Sequence, residues 1–308
     1  MEEKESSKEQ LIEQINITNK VRNNIRSPIQ IIEKAIDEKL LCCCLDYDLT
    51  ISEYKSFIDL KKKVIPEYDD KNQNHELSLQ ALFSKTKEIL LKNIEKDKDK
   101  DKDKETTSDL ISNATITTKE SSNNNANLDE QTKIWRKIGF QTGNPRTDFR
   151  AGGIFSLDLM NYFVNNHETE YINIINEDYF TFALVCIRLS YLIRIYLFLL
   201  SSEEIKINLK YQKNIIASRK ELKNFCSYLY DNNYLLFDIG CICLQFIYQN
   251  FLEKKKVGNK EKNYFIIDPI ILSSIQCLKS TLNNASVNGN FISELKRNSR
   301  ETFLKGLK

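Results

Sequence analysis

Turn-forming residues are scarce in this chain, and their scarcity limits the available folds more than any other feature of the sequence. The 308 residues include 8 glycines and 4 prolines. All-β folds and dinucleotide-binding α/β folds need such residues at their many turns. Hydrophobic residues still make up 41% of the chain, which is enough to build a core. We therefore expect an all-α fold with one core of about 200 residues.

The charge balance and the N-terminal sequence argue against several functional classes. Basic and acidic residues number 45 and 43, so the chain has little net attraction for nucleic acid or an anionic membrane. The opening residues, MEEKESSKEQ, lack the basic and apolar regions of a secretory signal, and Glu2 replaces the glycine that myristoylation requires. We expect a cytoplasmic protein with no transmembrane segment and no nucleic-acid partner.

Cysteine and histidine residues are poorly placed for metal binding or nucleophilic catalysis. The eight cysteines lie mostly in apolar runs, never with C-x-x-C spacing, and the chain has two histidines. This pattern predicts reduced thiols that pack as small core residues, with no zinc site and no Ser-His-Asp triad. Palmitoylation of Cys42, Cys43 or Cys44 would require exposure of a run that we expect to be buried. No phosphate-binding glycine-rich loop is present, so neither a self-contained active site nor a bound cofactor is predicted.

Helical periodicity and composition divide the chain into regions. Apolar residues recur with helical spacing from Ile29 to Leu45, from Leu49 to Val64 and from His75 to Ile94. The run EKDKDKDKDKE and the Ser/Thr/Asn-rich stretch after it contain too few apolar residues to offset the entropy of ordering them. The predicted regions are a polar N-terminal extension (1–27), N-terminal helices (28–95), a disordered insertion (96–131), a helical core (132–282) and a loose polar tail (283–308).

Three apolar segments predict the main core helices. The segment from Leu184 to Leu200 is short for a membrane span and contains Arg188 and Arg194, so we interpret it as a buried central helix. Each of the two arginines then needs its own acidic or carbonyl partner. A second helix, with one polar stripe, is predicted between Tyr228 and Leu252, and the last helix of the core from Pro269 to about Leu282.

The segment from Trp135 to Phe163 departs from the rest of the chain in composition. It contains the only tryptophan and five closely spaced turn-formers, Gly139, Gly143, Pro145, Gly152 and Gly153. Such a concentration predicts a shaped loop between two helices, in which Thr147 or Asp148 caps backbone NH groups. The apolar face of the following helix is formed by Ile154, Leu157, Met160 and Phe163 or Val164.

This segment resembles the signature of the ELMO domain, which can be written W-x3-G-F-Q-x3-P-x-T-D-x-R-G-x-G-x3-L-x2-L-x2-F. Two positions depart from the signature: Ala151 replaces a glycine and Met160 replaces a leucine. The methionine conserves volume, whereas a glycine at position 151 could supply a positive φ that alanine adopts only with strain. The matching residues are Trp135, Gly139, Phe140, Gln141, Pro145, Thr147, Asp148, Arg150, Gly153, Leu157 and Phe163.

The resemblance implies a regulator of small GTPases. Short ELMO domain-containing proteins activate GTP hydrolysis on Arf and Arl GTPases, and the arginine of T-D-x-R, here Arg150, would assist hydrolysis as an arginine finger. GTP and Mg²⁺ would belong to the partner, which would also provide any recruitment to endomembranes. The larger ELMO scaffolds lack this arginine, which favours the activator over the alternative of a noncatalytic adaptor that binds a GTPase or an exchange factor.

Structural roles stand beside the functional ones for the residues of this loop. Arg150 is either a finger or a tie that pairs with a nearby acid such as Asp148. Arg146 is expected to be exposed and to contact the partner or nothing. Trp135, Phe140 and Phe149 are expected to anchor the loop in the core rather than to contact the partner. The set that shapes the loop or binds the partner comprises Trp135, Gly139, Phe140, Gln141, Pro145, Arg146, Thr147, Asp148 and Gly153.

Overall fold

A computed structural model describes residues 49–100, 124–201, 204, 215–257, 264–285 and 289–306. The N-terminal extension, the helix predicted from Ile29 to Leu45, the Cys42–Cys44 run and residues 101–123 of the predicted insertion lie outside these residues. Within them every regular element is helical, which confirms the all-α prediction.

The described residues form ten α-helices and one 3₁₀ helix, the latter at Pro145–Arg150. The α-helices are α1 (Ile51–Val64), α2 (Gln73–Lys100), α3 (Asn124–Ile138), α4 (Gly153–Asn166), α5 (Glu168–Ile175), α6 (Phe182–Tyr196), α7 (Arg219–Asp231), α8 (Leu235–Val257), α9 (Tyr264–Asn284) and α10 (Phe291–Gly306).

The chain divides into two compact units. One contains the residues up to Ile65 together with Leu192–Ile239 and Ile275–Thr302. The other contains Pro66–Tyr191, Gly240–Ser274 and the residues from Phe303 onward. The segment from Trp135 to Phe163 therefore lies entirely within the second unit.

The first unit is organised around a buried arginine. Helices α1 and α7 pack on each other, and both begin with a capping box, Thr50 with Glu53 and Ser218 with Glu221. The side chain of Arg194 is 1% exposed, and it donates hydrogen bonds to the carbonyl oxygens of Leu199 (3.3 Å) and Ile65 (3.1 Å). These carbonyls supply the partners that the sequence requires for a buried guanidinium.

The second unit is built around α4, whose predicted apolar face is buried. Ile154, Leu157 and Met160 are at most 7% exposed. Helices α2 and α5 pack on this helix. In α6, Arg188 forms an ion pair with Asp268 of α9 at 3.5 Å, so the second arginine of the apolar segment is also paired.

One predicted helix ends earlier than the apolar pattern indicates, and another is interrupted. Helix α6 stops at Tyr196 rather than Leu200, because Phe198 adopts φ 56° and the Leu199 NH donates to the Arg194 carbonyl at 2.8 Å. This geometry is a Schellman motif, which usually contains glycine. The helix predicted between Tyr228 and Leu252 is two helices, separated at Asn232, whose side chain accepts the Tyr234 NH at 2.9 Å.

Described helices reach into the segments predicted as the insertion and the tail. Helix α2 continues to Lys100 and helix α3 begins at Asn124, so both edges of the segment 96–131 are helical. In the segment after Asn283, residues 291–306 form α10, which buries Phe291 and Leu295. The last predicted core helix also begins before Pro269, at Tyr264.

Among the described helices, α8 is long and apolar enough to cross a membrane. The stretch Leu235–Lys256 has a mean hydropathy of 1.5, and 61% of its apolar window is buried inside the protein. Core helices of globular proteins share this length and composition, so this feature alone does not indicate a membrane span.

Candidate functional site

The loop after α3 starts at a glycine that no other residue could replace without strain. Gly139 has φ +100°, and its NH donates to the Arg136 carbonyl while the Phe140 NH donates to the Trp135 carbonyl. A Cβ atom at Gly139 would lie 2.7 Å from backbone atoms of Thr181 and Phe182. Position 139 therefore combines a left-handed conformation with close packing against another backbone segment.

Side-chain to backbone hydrogen bonds define the course of the loop. The Asn144 side chain accepts the Arg146 NH at 3.2 Å and caps the 3₁₀ helix Pro145–Arg150. The Asp148 carboxylate accepts the Gln141 NH at 2.9 Å across the loop. The Thr147 hydroxyl donates to the Asn144 carbonyl at 3.3 Å and lies 3.4 Å from Asp148. Asp148 thus accepts a backbone NH, whereas Thr147 donates to a backbone carbonyl, and both contacts order the loop.

An aromatic cluster anchors the loop to the core of the second unit. Trp135, Phe140 and Phe149 are at most 4% exposed. The ring of Phe140 packs edge-on against both Trp135 and Phe149, with centroid separations of 5.5 and 5.6 Å. Phe149 also stacks on Tyr68 at 4.8 Å. In the free chain these three side chains are core anchors and are not available to a partner.

The first arginine of the PRTDFR segment is paired. Arg146 donates from Nε and Nη2 to the two carboxylate oxygens of Glu76 at 2.8 and 2.5 Å. This bidentate pair holds the pKa of the Glu76 carboxyl below its ordinary value. Arg146 is exposed, as expected, but in the free chain its guanidinium contacts Glu76 rather than solvent alone.

The second arginine of that segment has a different environment. Arg150 is the last residue of the 3₁₀ helix, and its side chain is exposed. It makes no hydrogen bond or ion pair with the residues that the structure describes. In particular, Asp148 does not pair with it, and that carboxylate accepts the Gln141 NH instead. Among the described residues, the loop therefore presents one exposed and unpaired guanidinium, that of Arg150, from a turn that is otherwise hydrogen-bonded.

The backbone after Arg150 shows what the alanine at position 151 does. Ala151 has φ −84° and ψ −41°, an ordinary right-handed conformation. The positive φ of this junction, +60°, lies at Gly153. At Gly152 a Cβ atom would lie 2.6 Å from Ser156, so this second glycine allows close packing. The departure from the ELMO signature at position 151 causes no backbone strain.

Sequence reasoning missed three residues that build this site. Glu76 and Tyr68 precede the loop by many residues, and no sequence signal connects them to it. Asn144 is different, because an asparagine directly before a proline-initiated turn is a recognisable cap signal. No group of three or more potential metal ligands occurs in the part of the chain that the structure describes.

The fold and the loop together define an all-helical protein with an ordered, arginine-bearing loop ahead of a buried helix. The family model described as ELMO/CED-12 family matches residues 59–264, which include the whole loop. The chain therefore belongs to the ELMO/CED-12 family.

One curated relative illustrates how local the sequence similarity is. ELMO domain-containing protein A of Dictyostelium discoideum is 44% identical to the chain over 43 residues. This match covers 14% of the chain and 4% of the relative, so the chain corresponds to a small part of that protein. No solved structure gives a significant match.

Proposed function

We propose that this chain stimulates GTP hydrolysis by a small GTPase of the Arf/Arl class, with Arg150 as an arginine finger. The observation that supports the proposal is the exposed Arg150 side chain on an otherwise hydrogen-bonded turn. Family membership and the match of the T-D-x-R residues support it further. GTP and Mg²⁺ belong to the partner in this scheme, and the protein acts in the cytoplasm or at membranes where the partner resides.

The chemistry needs one cation at the right place. Negative charge spreads over the γ-phosphoryl oxygens during transfer, and a guanidinium in a water-excluded interface stabilises it. A finger of this kind contributes about 10³- to 10⁵-fold in rate, which corresponds to about 4–7 kcal/mol. Because Arg146 is committed to Glu76, Arg150 is the better candidate of the two arginines on the turn.

The test is a panel of purified Arf-family GTPases loaded with GTP and mixed with the full chain. We expect stimulated hydrolysis with at least one member, and a loss of about 10³-fold in the maximal stimulated rate with Arg150→Ala. Arg150→Lys should also fail, because lysine lacks the planar fork that contacts two oxygens. The control is Arg297→Ala on α10, which removes an exposed arginine outside the loop.

Two results would contradict the proposal. Equal stimulation by the wild type and Arg150→Ala would remove the catalytic role of that residue. Binding that depends on the nucleotide state without any change in turnover would instead indicate a noncatalytic module that recognises a GTPase.

A further inference from the structure

Glu76 connects helix α2 to the 3₁₀ helix that carries Arg150. Its side chain is 21% exposed and accepts two hydrogen bonds from Arg146, at 2.8 and 2.5 Å. The Tyr68 hydroxyl donates a third hydrogen bond to the same carboxylate. Three donors on one partly buried carboxylate give this contact a defined geometry that an isolated surface ion pair does not have.

Tyr68 holds the same turn through a second contact. Its ring stacks on Phe149, the residue directly before Arg150, with centroids 4.8 Å apart and planes 26° from parallel. The turn is therefore held at two points. Glu76 binds Arg146 through hydrogen bonds, and the Tyr68 ring stacks on Phe149. Arg150 extends from the end of a turn whose earlier residues are fixed to the body of the unit.

This arrangement matters because an arginine finger depends on its position. A misplacement of about 1 Å can reduce the rate of an oriented reaction by about 10². The six residues Pro145–Arg150 form a short 3₁₀ helix, which has weak intrinsic stability. The Glu76 contact from α2 adds a restraint at Arg146 to those that the loop's own hydrogen bonds and Phe149 supply.

We propose that Glu76 is a positioning residue for Arg150, acting by holding Arg146 and hence the Pro145–Arg150 turn in a single orientation. The role rests on the proposed function where it concerns GTP hydrolysis, but the restraint on the turn can be measured without a partner. In this proposal Arg146 transmits the restraint from Glu76 to the turn, and its side chain is not the primary contact for the GTPase.

The first experiment measures the turn in the free chain. Hydrogen–deuterium exchange of peptides that cover residues 141–152 is compared for the wild type, Glu76→Ala and Glu76→Gln. We expect exchange to accelerate in both variants and more in Glu76→Ala, with peptides from α7 unchanged. Glu88→Ala is the matched control, because Glu88 lies on the same helix and pairs only with Lys85 and Lys92 among the described residues. Unchanged exchange in Glu76→Ala would overturn the inference.

The second experiment measures stimulated hydrolysis with the responsive GTPase. Glu76→Ala and Arg146→Ala should each lower the maximal rate by about tenfold to a hundredfold, with the half-saturating concentration little changed. Exchanging the two charges, Glu76→Arg with Arg146→Glu, should restore most of the rate, which a direct Arg146 contact with the partner would not allow. A raised half-saturating concentration in Arg146→Ala with full activity in Glu76→Ala would overturn the inference.

Failure of the two proposals can be told apart. If Arg150→Ala abolishes stimulation while Glu76→Ala keeps the full rate, only the positioning role fails. If the wild type stimulates none of the GTPases, the proposed function fails, and the exchange experiment still decides whether Glu76 restrains the turn.

Discussion

Asp158 should make the stability of the fold depend on pH. It lies on α4, and burial raises the pKa of its carboxyl from 3.8 to about 6. The charge of nearby His75 and a hydrogen bond from Ser78 oppose this effect without cancelling it. These two residues, both on α2, are the groups that face the carboxyl and ease its ionisation. The folded protein thus keeps an ionised carboxylate in a poorly solvated position at neutral pH.

The sign and size of the effect follow from this pKa. The folded state binds the proton more tightly than the unfolded state, so the free energy of unfolding falls as pH rises from about 4 to about 6. The difference from 3.8 to about 6 corresponds to at most about 3 kcal/mol. Partial exposure of the side chain reduces this figure, and we expect about 1–2 kcal/mol. The full cost is present above pH 6 and absent below pH 4.

The substitution Asp158→Asn removes the ionisation and keeps the shape of the side chain. Urea unfolding at pH 8 should show a free energy of unfolding about 1–2 kcal/mol higher in the variant than in the wild type. At pH 4 the gain should vanish. The control is Asp59→Asn on α1, which makes the same change at an exposed carboxylate. Loss of stability in Asp158→Asn at pH 8 would refute the reasoning, because it would mean that the carboxylate is favourably bound.

Two further predictions concern the backbone of the loop. Gly139→Ala should lower the free energy of unfolding by about 2–5 kcal/mol, because φ is +100° and the new Cβ would overlap the backbone at Thr181. Urea unfolding measures this change. A loss below about 1 kcal/mol would contradict the geometry. Ala151→Gly should not raise the free energy of unfolding, since φ at this position is already −84°. We expect a loss of about 0.5 kcal/mol in the same urea assay. Stimulated hydrolysis should stay within about twofold of the wild type. A large rise in activity would show that the Cβ atom of Ala151 obstructs the close approach of a partner's backbone.

The spacing of apolar residues correctly predicted helices whose ends have common capping residues. Helix α1 was expected from Leu49 to Val64 and occupies Ile51–Val64, with a threonine cap at its start. The predicted apolar face of α4 is buried, but Phe155, Ser156 and Leu159 are buried as well, so the helix is enclosed on more sides than its apolar stripe predicted.

Helix ends were missed where an unusual residue makes the turn. Phe198 adopts a left-handed conformation that sequence patterns assign to glycine, so an apolar run longer than its helix looked continuous. The break at Asn232 was missed because polar residues recur at helical spacing on both sides of it, so the two helices looked like one. At both places a local hydrogen bond accompanies the break, to the Arg194 carbonyl in the first case and to the Asn232 side chain in the second.

The two arginines of the loop show where sequence reasoning about the site reaches its limit. Both stand in one turn, four residues apart, and their residue type gives each the same chemistry. The difference between them is a carboxylate 70 residues away from Arg146 in the chain, which α2 brings to that side chain and not to Arg150. Without an acid at position 76 the turn would present two guanidiniums and would lack its restraint at Arg146. The fold therefore gives two chemically equal residues different surroundings, and the Glu76 variants test whether the proposed division of roles follows from that difference.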